Sequence, residues 1–85
     1  MNIRDLEYAV TVADFGHFGR AAEACHVSQP ALSGQIKKLE QELGVDLFER
    51  TKRSVRVTDA GEDILRLARQ LLEQADAIRE TADAL

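Results

Sequence analysis

The chain has 85 residues, 45% of them apolar and 31% charged, which makes one small domain with a limited core and an expected need for a partner chain. No apolar run approaches the ~20 residues that cross a bilayer, and Met1-Asn2-Ile3-Arg4 is not the opening of a secretory leader. One cysteine and two histidines exclude an internal disulfide and a structural zinc set, so a cytoplasmic protein with no membrane, metal or cofactor is expected.

The net charge of -4 argues against a nucleic-acid partner only until it is located. Residues 1–58 carry eight basic and eight acidic side chains, whereas residues 59–85 carry three and seven. The negative charge therefore belongs to the second segment. Within the neutral one, Arg50, Lys52, Arg53 and Arg56 form a basic cluster with no acid between them.

From Ile3, apolar residues recur at Leu6, Val10 and Ala13, the steps of one helix face, with Asn2 as N-cap and Gly16 as stop. A second, short helix holds Phe18, Ala21, Ala22 and Cys25 and ends near His26-Val27. Ser28 caps a third, with Pro30 where a missing N–H is harmless, a buried stripe of Leu32, Ile36, Leu39 and Leu43, and Gly44 as its end. Leu47 to Arg50, a polar turn over 51–54 and the alternating Val55-Arg56-Val57-Thr58 predict a short hairpin. Thr58 caps the last helix, whose first turns hold Asp59, Glu62 and Asp63, acids that the helix dipole favours there.

Two helices joined by a short turn and followed by a hairpin form a winged helix-turn-helix, and its outward face has the chemistry of a groove reader. Gln29, Ser33 and Lys37 lie opposite the buried stripe of the third helix at spacings of four. Gln can pair with two atoms of adenine, Ser with a base or phosphate, and Lys with phosphate or guanine. A solvated polar face would look the same on an isolated helix; the preceding turn and the basic hairpin weigh against that. Gly34 is mid-helix, where it costs ~1 kcal/mol relative to Ala; either it lets the helix seat closely against DNA or it has no role. The hairpin tip, Arg50-Thr51-Lys52-Arg53, suits phosphates or a narrow minor groove.

The last helix carries a heptad row: Ile64, Ala68, Leu71, Ala75, Ile78, Ala82 and Leu85. Large residues fill one heptad position and alanine the other, so an antiparallel pair sets each alanine against a large side chain and fills every layer evenly. Leu65, Leu67 and Leu72 lie beside this row and are expected to pack onto the head. The alternative is that the whole stripe covers the chain's own core. Cys25, in the apolar stripe of the second helix, is assigned to packing rather than to redox chemistry. His17 and His26 have no carboxylate at a general-base or ligand spacing, so no catalysis is expected.

Two readings from other classes stay open. A small all-helical dimeric enzyme, chorismate mutase-like, needs arginines converging on a buried pocket; a protein-binding helical adaptor needs binding that barely responds to salt.

Phe18 to Arg20, Ala21-Ala22, Val27-Ser28-Gln29-Pro30-Ala31-Leu32-Ser33, Ile36, Leu39-Glu40, Leu43-Gly44 and Leu47-Phe48-Glu49-Arg50 together resemble the LysR-type transcriptional regulators, over the whole chain. Met1 to Tyr8 and Cys25-His26-Val27-Ser28-Gln29-Pro30 look like the peroxide-responsive branch of that family. The resemblance implies a mainly α protein: a winged helix-turn-helix over 1–58, with a recognition helix over about 28–43, then a linker helix over 59–85 that pairs antiparallel in a homodimer. It implies that Gln29, Pro30, Ala31 and Ser33 approach the major groove of operator DNA and that the 50–56 wing, with Arg50, Lys52 and Arg53, approaches the minor groove. Many members carry Arg at the position of Gly34, so the contact such an Arg would make is not expected here. Members continue into a C-terminal effector domain and form tetramers at full length, and the chain is expected to be the DNA-binding part alone.

Overall fold

The computed structural model describes residues 1–51 and 54–85. Asn2 is extended and its side chain accepts from the Asp5 N–H at 2.8 Å, while the Asp5 carboxylate accepts from the Asn2 N–H at 3.1 Å. This reciprocal pair satisfies two orphan donors and starts α1 (Ile3–Phe15). Gly16, left-handed at φ 61°, closes it by donating to the Val12 carbonyl. The inward line of α1 is Leu6, Ala9 and Val12 rather than Ile3, Leu6, Val10 and Ala13. Val10 and Ala13 are half-buried against the core and Ile3 is exposed, α1 being packed against three later helices rather than one.

The short α2 (Phe18–Cys25) is capped by His17, whose Nδ1 accepts from the Arg20 N–H at 3.1 Å. Ala21 and Ala22 are buried, letting neighbouring helices approach closely, while Phe18 and Cys25 are half-buried. His26 ends α2 in the left-handed region at φ 58°, uncommon for a residue with a Cβ. Ser28 Oγ accepts from the Ala31 N–H and begins α3 (Gln29–Leu43), which ends at Gly44, φ 74°. Leu32, Ile36 and Leu39 are buried as the stripe predicts, and Glu40 is buried beside them.

Two three-residue strands follow, β1 (Phe48–Arg50) and β2 (Val55–Val57), paired antiparallel with Phe48 opposite Val57 and Arg50 opposite Val55. Thr51 and Ser54 close the turn: the Thr51 N–H donates to the Ser54 carbonyl, and the Ser54 N–H to the Thr51 hydroxyl. Lys52 and Arg53, expected at the wing tip, lie outside the described residues. Thr58 then accepts from the Gly61 N–H at 2.9 Å, donates to the Asp46 carbonyl and caps α4 (Asp59–Ala84).

The core gathers Val12, Leu32, Ile36 and Leu47, all fully buried, with Leu65 of α4 sealing it from above. The 26 residues of α4 span about 39 Å at 1.5 Å per residue, so most of its second half leaves the head, giving an elongated body of 48 × 26 × 19 Å. No helix among the described residues is long and apolar enough to cross a membrane. Gly34 stands on the outer side of α3 with nothing within 4 Å of where a Cβ would lie. Gly34→Ala is therefore expected to stabilise the chain by ~1 kcal/mol through reduced unfolded-state freedom. Urea unfolding at matched chain concentration checks it, and destabilisation would contradict the open surroundings.

Candidate nucleic-acid interface

The outer side of α3 and the hairpin form one continuous surface, because the inward stripe of α3 fixes which residues remain outside. Gln29, Pro30, Ala31, Gly34 and Lys37 are all exposed on it. Gln29 stands at the first turn of α3, where its side chain, His17, Phe18, Thr51, Ser54 and Val55 line a shallow cleft between two helix starts and the hairpin. Lys37 borders a second cleft, shared with Gln41, Asp46 and Arg50. Lys37 and Arg56 form no ion pair among the described residues, so their charge is available to a partner.

Ser33 and Arg50 differ from that pattern. Ser33 is half-buried and turned toward the hairpin, where its Oγ accepts from Arg50 Nη1 at 3.0 Å. Arg50 Nη2 reaches Glu40 Oε1 at 3.3 Å, and its Cζ lies 4.6 Å from the centroid of the Phe18 ring. That ring in turn meets Phe48 edge to face at 6.4 Å. Glu40 spends its other oxygen on the hairpin backbone, accepting from the Leu47 N–H at 2.7 Å and the Phe48 N–H at 3.3 Å. One buried carboxylate thus joins α3, the start of β1 and a wing arginine. Spacing alone missed this cluster. The available signal was Glu40 itself, four residues after Ile36 on the buried stripe, where a carboxylate requires partners.

On α4 the heptad row divides. Ala68 is only 3% exposed, on the stretch of α4 that packs against α1, and Ile64 is half-buried against the core. Ala68 is therefore covered within its own chain, a correction to its place on the dimer seam. Leu71, Ile78 and Leu85 are exposed, Ile78 at 70%, with Ala75 half-buried and Ala82 exposed between them. Leu65 seals the core as expected and Leu72 is half-buried, but Leu67 is exposed, because it falls on the side of α4 away from the head.

Arg66, Arg69 and Arg79 do not converge. They pair along the surface with Asp63, Asp14 and Asp76, the Arg69–Asp14 contact being the shortest at 2.7 Å. The Asp14 hydrogen bond holds the Arg69 pKa above its ordinary value; burial opposes it, and the Asp14 and Glu62 charges add to it. Among the described residues no three His, Cys, Asp or Glu are grouped to hold a metal ion.

Residues 3–62 match the family model described as bacterial regulatory helix-turn-helix protein, lysR family. The chain is 57% identical over 82 residues to a hydrogen peroxide-inducible genes activator of Pectobacterium carotovorum subsp. carotovorum, covering 96% of this chain and 27% of that relative. It thus spans about a quarter of that relative's length. Among solved structures it is similar to a full-length OxyR variant from Pseudomonas aeruginosa, with TM-score 0.93, 58% identity, and coverage of 99% of this chain and 28% of that one. It is also similar to the CbnR DNA-binding domain solved in complex with DNA, with TM-score 0.92, 40% identity, and coverage of 99% and 97%. The chain, a winged helix-turn-helix with a long C-terminal helix, belongs to the LysR family of bacterial regulatory helix-turn-helix proteins.

Proposed function

We propose that this chain binds double-stranded operator DNA as a homodimer and is the DNA-binding part of an OxyR-like transcriptional regulator acting in the cytoplasm. Residues 1–58 are the reading head and residues 59–85 the helix that pairs with a second copy. The observation that carries this reading is the exposed face of α3, Gln29, Pro30, Ala31, Gly34 and Lys37, placed directly beside the hairpin. A helix held by one stripe, with a short polar face free, has the dimensions and donors that a major groove accepts. The 50–56 wing then lies toward the adjoining minor groove. The seam of the dimer is Ile64, Leu71, Ala75, Ile78, Ala82 and Leu85, with Ala68 left to its own chain. The similarity to a domain solved on DNA supports the docking mode. The peroxide response named for the relative belongs to a chain about three and a half times as long.

A mobility-shift assay on a duplex enriched by the chain from a random pool tests the reading. Affinity is expected to fall about a thousandfold between ~50 and ~200 mM salt, because each phosphate contact releases a counterion. Gln29→Ala is expected to cost ~1–3 kcal/mol and to broaden base preference. Affinity that ignores salt, or a Gln29→Ala variant with unchanged preference, would overturn it.

A further inference from the structure

We infer that Arg50 is a positioning residue that sets the Ser33 hydroxyl as a hydrogen-bond donor toward an acceptor on DNA, not a cation that grips phosphate. This rests on the DNA-binding reading above. A wing arginine free to neutralise phosphate would be unpaired and outward. The Arg50 side chain is 35% exposed and engaged on three sides, by Glu40, by Ser33 and by the Phe18 ring. Its charge is balanced by a Glu40 carboxylate that is itself fixed by two backbone N–H groups. Binding DNA therefore gains no counterion release from Arg50.

The hydroxyl that Arg50 holds has one hydrogen to give. A helical serine or threonine often spends it on the carbonyl four residues back, as Thr11 does on Glu7 and Thr81 on Ala77. Ser33 makes no such bond among the described residues. With Arg50 donating into the oxygen from the hairpin side, the hydrogen points away from the guanidinium. The cation also polarises the hydroxyl, making it a stronger donor and a poorer acceptor. Ser33, half-buried at the edge facing the hairpin, lies one helical turn from both Gln29 and Lys37, so a hydrogen turned away from Arg50 is offered on the side of α3 that carries them. The partner it fits is an acceptor, a purine N7 or a phosphate oxygen, and it disfavours the amino groups of adenine and cytosine. Only a guanidinium provides two forked donors and a face to stack; lysine provides the charge alone.

The test measures Ser33→Ala, Arg50→Ala, Arg50→Lys and the Ser33→Ala/Arg50→Ala pair on the duplex enriched by the parent, across a salt series. One set of duplexes carries 7-deazapurines at single positions and another carries single methylphosphonates. Each single variant is expected to weaken binding about tenfold, with the pair no weaker than either, as for two groups in one network. Their salt slopes should equal the parent's, and Arg50→Lys should behave like Arg50→Ala. One modified position should weaken the parent while leaving Ser33→Ala and Arg50→Ala unaffected; a deaza position identifies N7, a methylphosphonate position identifies phosphate. A salt slope reduced by about one in Arg50→Ala and restored in Arg50→Lys would overturn the inference and make Arg50 a phosphate contact. So would additive losses, or the absence of any such position. If circular dichroism shows Arg50→Ala unfolded, Arg50→Lys and Arg50→Gln decide by the same criteria. A parent that enriches no duplex would overturn the DNA-binding reading and this inference with it, an outcome distinct from the others.

Discussion

Ile78→Asp is expected to turn the proposed dimer into a monomer and to lower affinity for the enriched duplex by a factor of about 10²–10⁴ while the head stays folded. Ile78 is 70% exposed and far along α4 from the core, so the substitution removes no packing within the chain. In an antiparallel pair it faces an alanine layer, and an aspartate there buries a carboxylate with no partner. Two linked heads make the second half-site an intramolecular event; separated heads lose that gain without losing a single DNA contact. Sedimentation equilibrium, circular dichroism and mobility shift on one preparation measure all three quantities. An Ile78→Asp variant that stays dimeric with full affinity would remove Leu71, Ala75, Ile78, Ala82 and Leu85 from the interface.

Gly61→Ala is expected to cost about 3 kcal/mol, at the upper end of what overpacking one methyl costs. Gly61 is buried in the first turn of α4, and a Cβ there would run into the Leu47 carbonyl oxygen and meet Thr58 Oγ1 at 3.0 Å. Neither neighbour can yield easily. Leu47 is fully buried, its N–H is held by Glu40 and its carbonyl accepts from the Thr58 N–H, while Thr58 Oγ1 is the cap of α4. For a domain of this size the loss corresponds to a melting point lower by roughly 15 °C. Calorimetry at fixed chain concentration decides it; a Gly61→Ala variant within a few tenths of a kcal/mol of the parent would contradict the close approach.

Two of the three helical glycines show where sequence reasoning stops. Gly34 and Gly61 both interrupt a helix pattern, but one borders empty space and the other a carbonyl 14 residues away in the chain. Asn2, Gly16, Ser28, Gly44 and Thr58 were legible because capping is settled within a few residues. The Glu40–Arg50–Ser33 cluster was not, since its links span ten and 17 residues and depend on where the hairpin folds back. Likewise the heptad row identified an apolar side of α4 without saying where the head ends. α1 takes up the first part, so Ala68 is inside and Leu67 outside. That Gln29 and Lys37 face outward was legible because the buried stripe of α3 leaves no other side for them.

The Arg69–Asp14 pair acts on a scale larger than its own energy, which for two exposed partners is at most ~1 kcal/mol. It is the last polar contact between α1 and α4 among the described residues before α4 leaves the head, about 24 Å from Leu85 at 1.5 Å per residue. Beyond this neck α4 is a lever arm: a tilt of about 10° at Arg69 would displace the far end by roughly 4 Å, more than one base-pair step. In the dimer proposed above, this exposed latch at the neck would bear on how far apart two paired heads stand along a duplex, and salt that screens it would loosen that spacing.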